Sequence, residues 1–502
     1  MNIDYIKDYG EVIPFNGAFN LKPKEKTVKK QIKLSKQNDN KVYTSIQELI
    51  KKIGLKSGDT ISFHHHLRNG DKVTRIILKA CEELGINDLK LAISAIFPVH
   101  NFIVDFAKKG IVSQIDTNYC VGEVANAITR GLFKKVAIFR THGGRARAIY
   151  AGDLKIDVAF IAASASDEAG NINGIMGKNA FGSIGYAMPD ADCAKISVAV
   201  SDTMYPYPLS NPSITQDKID YVLMVDEIGD PNGIKSGTTD ITKDPIQLKI
   251  AKTTANLIYE SGLLKDGFSF QTGAGGISLA SAHYVKEIMK EKNIKGSFIM
   301  GGITAYLVNL YNDGYFSNIF DVQDFDLEAV KSLRENKKHY EVSSSLYANI
   351  HTSSPIVNKL DCVVLGATEV DTNFNTNVIT SSNGYIMGGS GGHSDAAAGA
   401  KLAIITTNLI RTRKAIVKEK INSITTPGES INALVCEYGV ALNDKTLAKI
   451  LKNSKLKIID IKDLAKLANN ICGVCEFEKS NKKIVAVVEY RDGSVIDVIR
   501  QK

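Results

Sequence analysis

Residues 157–171, DVAFIAASASDEAGN, recur without a gap at residues 361–375 as DCVVLGATEVDTNFN, setting Asp157, Asp167 and Asn171 against Asp361, Asp371 and Asn375. In each copy a short apolar run is bounded by turn-forming residues, the pattern of a buried strand that ends in a polar turn. Upstream of each copy lies a second echo. GLKSGDTISF, residues 54–63, returns one residue shorter as GLLKDGFSF, residues 262–270, and each time the strand leads into a polar loop and then an amphipathic helix. The chain is therefore a tandem of two related units.

The pattern around these echoes is strand, loop, helix, strand. Strands are expected at residues 60–63, 89–93, 136–139, 158–163, 196–200 and 221–226. Val73, Ile76, Ile77, Ala80 and Leu84 recur at helical spacing in the first unit, and Ile277, Ala280, Tyr284, Val285 and Ile288 in the second. Such alternation specifies α/β domains with mostly parallel sheets covered by helices. The expected division is an N-terminal basic arm over residues 1–44, a first domain over 45–242 and a second over 243–502. Further strands at 402–406, 484–489 and 495–499 are assigned to the second domain. Ligands in such sheets bind beyond the carboxyl ends of the strands, so loops of both units are expected to face one cleft.

The 502 residues carry a net charge of +8, and much of it sits in a lysine-rich arm at residues 22–41. With few aromatics to stack bases and no recognition-helix signature, that arm reads as solvated rather than as a nucleic-acid surface. Seven cysteines, an odd number, argue for reduced thiols, and the one close pair, Cys472 and Cys475, lacks further zinc ligands. No metal is expected. No apolar run reaches the roughly 18 residues of a membrane span, and the N-terminus lacks the layout of a signal peptide, so a cytoplasmic location is expected.

Four loops carry chemistry. His64, His65, His66, Arg68 and Asn69 follow the first strand, and adjacent residues of an extended segment point to opposite faces, so an anion suits them better than a shared metal. His142, Arg145 and Arg147 follow another strand and repeat the theme, since arginine forks grip carboxylates. QTGAGG, residues 271–276, lacks the third glycine of a dinucleotide fingerprint, which argues against a nicotinamide oxidoreductase. GYIMGGSGGHSDAAAGAK, residues 384–401, runs from a strand through glycines into a helix and offers main-chain N–H groups to an anion. Ser390 formally matches a nucleophile elbow, but the last histidine, His393, follows it by only three residues, out of order for a hydrolase triad. The carboxylate pairs Asp167 with Glu168 and Glu369 with Asp371 suit acid–base work, although turn formation is the expected role of the aspartates.

Together FSFQTGAGG, ATEVDTNFNTN, GGSGGHSDAAAGAK and ASASDEAGN resemble loops of the coenzyme A transferase superfamily. FHHHLRNGD, THGGRARAIYAGDLKIDVAFI, VDEIGDP, KDGFSFQTGAGG and VAVVEYRDGSVIDVIRQ are similar to one branch, the citrate lyase alpha-subunit family, from about Phe15 onward. The resemblance implies two related coenzyme A transferase-like (NagB/RpiA-like) α/β domains with the active site between them. It implies transfer of an acyl-carrier or CoA thioester from acetyl to citrate, with acetate released, alongside a beta subunit and a gamma acyl carrier subunit, in a homo-oligomeric assembly of several copies of this chain. The alternative within the superfamily is a citramalate or other carboxylate CoA-transferase. No tightly bound cofactor is implied; the chain acts on the CoA-like prosthetic thiol of the carrier, or on CoA as a surrogate. The expected roles are catalytic for Gly389, Ser390, Gly391 and Gly392, with main-chain N–H groups rather than the serine hydroxyl in action. Substrate binding falls to His65, His66, Arg68, Asn69, His142, Arg145 and Arg147, and contact with CoA or the carrier to Gln271, Gly273, Gly275, Gly276 and His393. Many relatives use a covalent glutamate in a stretch resembling GIHTE; here the corresponding GGITAYLVNLYNDG, residues 301–314, has no glutamate, with Ala305 or a neighbour in its place, and Glu369 matches a different loop. Direct transfer without a covalent enzyme intermediate is the expectation.

Overall fold

The computed structural model describes residues 3–21, 28, 36, 39–235, 241–273, 275–473 and 482–502. Most of the lysine-rich arm, and Cys475 with it, lies outside the described residues. Two large sheets dominate. The first has ten strands in the order Val495–Arg500, Ile484–Glu489, Ala137–Phe139, Val112–Thr117, Leu89–Ile93, Thr60–Phe63, Val158–Ala163, Ile196–Ser201, Tyr221–Met224, Val42–Tyr43. The second has eight, in the order His339–Glu341, Phe316–Asp324, Gly296–Ile303, Ser269–Thr272, Cys362–Gly366, Leu402–Thr406, Ala433–Cys436, Gly439–Leu442. All neighbours are parallel except the terminal pairs Ile484–Glu489 with Val495–Arg500 and Ala433–Cys436 with Gly439–Leu442.

The internal repeat is visible bond for bond. Asp157 accepts the Thr60 N–H at 2.9 Å in the first sheet, and Asp361 accepts the Ser269 N–H at 2.9 Å in the second. Asp167 gathers the N–H groups of Ala169, Gly170 and Asn171 and the Asn171 carboxamide; Asp371 gathers those of Asn373 and Asn375 and the Asn375 carboxamide. Both aspartates thus shape turns, as short side chains that mimic backbone acceptors do. In each sheet the order reverses beside the first strand of the unit, between Thr60–Phe63 and Val158–Ala163 and between Ser269–Thr272 and Cys362–Gly366. Such a switch point opens a crevice at the strand ends. Buried Phe63 and Phe160 stack in the first core, and Phe268 and Phe270 in the second.

The end of the chain departs from expectation. Ile484–Glu489 pairs with Ala137–Phe139 and so extends the first sheet, not the second. The junction is fixed by charge as well as by the ladder. Buried Arg140 makes a fork to both oxygens of Asp116, at 2.9 and 3.1 Å, and a further bond to Glu489. Ile6 and Val12 pack on Val487, Val495 and Val498, so the described N-terminal residues close the same edge. Sequence adjacency gave no hint, because a strand pattern does not name its partner. Lys41, at the end of the expected solvated arm, is also built in: its ammonium donates to the carbonyls of Ala169, Gln216 and Ile219, each at 2.9 Å. No helix of the described residues is long and apolar enough to cross a membrane.

Candidate active site between the two sheets

Loops at the carboxyl ends of both sheets enclose a cavity of about 310 Å³. From the first unit come His65, Arg68, Phe97, Tyr119, His142 and Tyr186. The second supplies Gln271, Gly273, Gly275, Gly301, Gly302, Gln323, Phe325, Tyr347, Gly391, Gly392 and His393. The junction is continuous: Gln323 donates to the His65 carbonyl at 2.9 Å, and Ser344 N–H to the Gly185 carbonyl at 2.9 Å.

Arg68 has a positive φ of 50°, which costs a branched or long side chain some strain and is paid where the fold over-determines the turn. Its guanidinium lies between the rings of Phe97 and Phe325, 4.9 and 4.6 Å from their centroids. Burial lowers it to about 10, which leaves it cationic at neutral pH. His65 Nδ1 lies 2.5 Å from the Ser94 hydroxyl oxygen, and the His65 main-chain N–H donates to the same oxygen at 3.0 Å. His142 stacks on His65 with centroids 5.7 Å apart, and both rings lean on Tyr186. Burial first, then neighbouring cationic groups, hold His65 well below its usual range and His142 down at about 3. Both imidazoles are neutral.

The glycine loop is a strut as much as a cradle. Gly391 N–H donates to the Asn118 carbonyl at 3.2 Å, and the Gly391 carbonyl receives His142 N–H at 2.8 Å. A Cβ on Gly389 would stand 2.1 Å from the Asn118 oxygen, and one on Gly392 would stand 2.5 Å from the Tyr347 hydroxyl. Gly389 thus permits contact between the main chains of the two units, and Gly392 leaves room for the Tyr347 hydroxyl within the second. Gly391 adopts φ 51°, in the left-handed region, and Gly391 and Gly392 face the cavity. At the start of the helix His393–Gly399, Asp395 accepts Thr141 Oγ1 and Gly143 N–H, each at 2.8 Å. Thr141 in turn caps the helix His142–Ala151 through Gly144 N–H.

Several expected residues stand elsewhere. Arg145 makes a fork to Asp190 at 2.7 and 2.9 Å and a bond to Ser62 at 2.9 Å, all beneath the surface, so it braces the loop and does not reach the cavity. Arg147 pairs with Asp153 at 2.6 Å and lies 3.7 Å from Glu489. His66 is buried between His64 and Phe181, at 5.5 and 5.3 Å, and Asn69 is exposed; neither lines the cavity. Gly276 begins the helix Gly276–Lys292 behind the wall. Gly389 is packed away, and buried Ser390 bonds Ser394 at 2.9 Å, which leaves no geometry for a nucleophile. His393 does face the cavity, with Nε2 on the Gly366 carbonyl at 2.9 Å and Nδ1 on Thr426 at 2.7 Å.

Among the described residues no carboxylate lines the cavity. Glu369 is buried against Lys418 at 2.6 Å and Asn377 at 3.0 Å. Ala305 opens the helix Ala305–Asn312, just past Gly301 and Gly302 on the wall. Behind the wall, Asp321, Asp324 and His339 are the described group whose ligand atoms lie near enough to share a cation, within 4.8 Å. Their own hydrogen bonds already link them: His339 meets Asp321 at 3.1 Å and Ser332 at 2.9 Å, and Ser183 N–H donates to Asp324 at 2.8 Å. Burial pushes Asp321 up to about 7 and Asp324 well above the carboxylate range. Tyr119, Tyr186, Gln323 and Tyr347 went unread in the sequence, since lone aromatic and amide residues between strands carry no spacing signal.

The profile of the family described as "Citrate lyase, alpha subunit (CitF)" matches residues 39–502. The chain belongs to the citrate lyase alpha-subunit family. It is 43% identical over 465 residues to the citrate lyase alpha chain of Haemophilus influenzae, covering 92% of this chain and 93% of that one. A Streptococcus mutans chain assigned as the citrate lyase alpha subunit and solved in complex with citrate superposes with a TM-score of 0.95 at 43% identity, covering 99% and 97% of the two chains. A Pseudomonas malonate decarboxylase hetero-tetramer in complex with malonate contains a chain of the same fold, with a TM-score of 0.65 at 14% identity over 87% and 84%. Members of the citrate lyase alpha-subunit family are one component of a multi-subunit enzyme, as the name of the chain states.

Proposed function

We propose that the cavity between the sheets is where this citrate lyase alpha subunit moves a thioester from acetyl to citrate. A citrate carboxylate attacks the acetyl carbonyl and expels the carrier thiolate, and the resulting mixed anhydride is opened by that thiolate, giving citryl-carrier and acetate. CoA serves as a surrogate for the carrier thiol. The observation that carries this reading is the lining itself: one guanidinium, three imidazoles and glycine-rich turns, without a carboxylate among the described wall residues. A cationic, acid-free wall suits a polyanionic acid. The described wall offers no carboxylate to form a covalent thioester, so rate must come from holding the reactants together and from donors aimed at the oxyanion, each worth about 2.7–4 kcal/mol in a dry site.

Arg68 holds a substrate carboxylate, with His65 and His142 as donors beside it. Gly391, Gly392, Gly273 and Gly275 let the thioester approach the main chain, and Gln271 and His393 shape its channel. The partners on this reading are a beta subunit that cleaves citryl-carrier to oxaloacetate and acetyl-carrier, and a gamma acyl carrier subunit, with the alpha subunit itself in several copies in the cytoplasm. No tightly bound cofactor takes part.

The test is incubation of the purified chain with acetyl-CoA and citrate, and in parallel with citramalate, followed by mass spectrometry of the thioesters. Citryl-CoA and acetate should form without oxaloacetate. Oxaloacetate from this chain alone, or a preference for citramalate, contradicts the assignment.

A further inference from the structure

We propose that Tyr347 is a catalytic residue of the transfer: its hydroxyl, held by Gln271, donates to the acyl oxygen as the tetrahedral adduct forms. This rests on the reading that the cavity joins citrate to an acyl thioester. It names the donor that such a step needs on a wall without a carboxylate among the described residues.

The hydrogen bonding around the pair leaves one proton without an acceptor. Gln271, on the strand Ser269–Thr272, donates from Nε2 to the Tyr347 hydroxyl oxygen at 3.0 Å, and among the described residues that is the hydroxyl's one hydrogen bond. The carboxylate of Asp395 is committed elsewhere, to the Thr141 hydroxyl and Gly143 N–H. Gln271 Oε1 is buried with no partner either. Buried polar groups are ordinarily paired, so a donor and an acceptor left open side by side on a cavity wall mark the place of a bound group. Burial first, and then the charge of Asp395, raise the phenol well above its ordinary range, so the hydroxyl keeps its proton at neutral pH.

Position separates Tyr347 from the two other wall tyrosines. Tyr186 leans on His65 and His142, with centroids 4.5 and 4.6 Å away, and Tyr119 on Phe97 at 5.6 Å, the ring against which Arg68 lies. Both stand in the half of the cavity that carries the guanidinium and the stacked imidazoles. Tyr347 stands among the glycines. A Cβ on Gly392 would lie 2.5 Å from its oxygen, and one on Gly301 would lie 3.1 Å from Gln271 Nε2, so missing side chains leave the pair room on the side where the thioester approaches. The helix that carries it, Ser344–Ala348, is also pinned to the first unit. Ser344 N–H donates to the Gly185 carbonyl at 2.9 Å, and the Ala348 carbonyl oxygen is 2.2 Å from where a Cβ on Gly143 would stand. Tyr347 is thus fixed at the seam of the two halves, where a citrate carboxylate must meet the acyl carbon.

The electrons balance without a proton moving. A carboxylate oxygen of citrate bonds to the acetyl carbon, and the π pair of the C=O passes to its oxygen, which Tyr347 O–H stabilises by a hydrogen bond. Collapse of the adduct expels the thiolate with the C–S pair and leaves the anhydride. The thiolate then attacks the citryl carbonyl, and acetate leaves with the C–O pair. Tyr347 keeps its proton throughout.

The test is single-turnover formation of citryl-CoA, with the full chain in excess over acetyl-CoA and citrate varied. Tyr347→Phe should slow the rate at saturating citrate by about 100- to 1,000-fold, the effect of losing one oxyanion donor, with half-saturating citrate within about threefold of the parent's. A variant folded by circular dichroism that keeps the parent's rate overturns the proposal, and so does one whose loss lies wholly in weaker citrate binding. If the phenylalanine variant does not fold, 3-fluorotyrosine placed site-specifically for Tyr347 carries the test. The ring and hydroxyl remain and the donor is stronger, so the rate at pH 7 should rise by about two- to threefold. A rate at or below the parent's overturns the proposal. A parent chain that forms no citryl-CoA is a different result: it sinks the transfer reading on which this one rests.

Discussion

Asp395 Oδ2 accepts the main-chain N–H of Gly143 at 2.8 Å, and this bond ties the glycine loop of the second unit to the helix that carries His142 in the first. The same carboxyl takes the hydroxyl proton of Thr141 at 2.8 Å, and Thr141 caps that helix. One side chain therefore reinforces the direct bond from His142 N–H to the Gly391 carbonyl, between two residues of the cavity wall.

Asp395→Ala should cost about 2–5 kcal/mol, because it strands two buried donors at once. Asp395→Asn keeps one oxygen acceptor and should lose less. Urea unfolding of both variants measures the difference. Equal stability of the alanine variant and the parent would show that the clamp is idle.

Arg68 and Arg145 are expected to part company. Arg68→Lys removes a fork from the wall and should raise the KM for citrate by about 1–3 kcal/mol in apparent binding. Arg145→Lys disturbs a buried pair with Asp190 and should lower stability by a few kcal/mol, about 3 at the high-cost end of such changes, while the folded fraction keeps its KM. Citrate kinetics together with thermal unfolding separate the two effects.

Ser390→Ala should retain most of its activity, since the hydroxyl bonds Ser394 and does not face the cavity. Gly391→Val should abolish it: a β-branched residue is strained at φ 51°. A stable acyl adduct trapped on Ser390 would reverse this assignment.

The acid pair behind the wall gives a pH prediction with a definite sign. Asp321 is raised to about 7 in the folded chain, chiefly by burial, and burial together with the neighbouring Asp321 carries Asp324 well above the usual carboxylate range. The folded state thus holds protons that the unfolded chain, with aspartates near 3.9, releases. The stabilisation is full below that unfolded value and is lost as pH rises through the folded one. The thermal stability of the wild-type chain should therefore fall between about pH 4 and 7 from this source, and Asp324→Asn, which cannot ionise, should flatten the profile. A variant with an unchanged slope would contradict it.

Much of the fold was legible because it is written twice. Asp157 and Asp361, and Asp167 and Asp371, make the same bonds in both units, so a gap-free echo in sequence is an echo in hydrogen bonds. The strand Ile484–Glu489 was misplaced because its partner, Ala137–Phe139, is some 350 residues away, and only Arg140 and Glu489 in contact reveal the pairing. The same limit explains the arginines. Arg68, Arg145 and Arg147 look alike in sequence, and only the positions of Asp190 and Asp153 show that Arg145 and Arg147 are tied to buried or half-buried carboxylates while Arg68 lines the cavity.

The central claim is transfer without a protein carboxylate, and oxygen labelling tests it most directly. Citrate with all its carboxylates labelled with ¹⁸O is mixed with acetyl-CoA and an excess of chain for a single turnover, and the acetate is weighed by mass spectrometry. If citrate attacks the acetyl carbonyl itself, the bridging oxygen of the anhydride leaves with acetate, and the acetate formed carries one ¹⁸O. Acetate without label in that first turnover would mean that its oxygen came from a carboxylate of the protein, and would contradict the account.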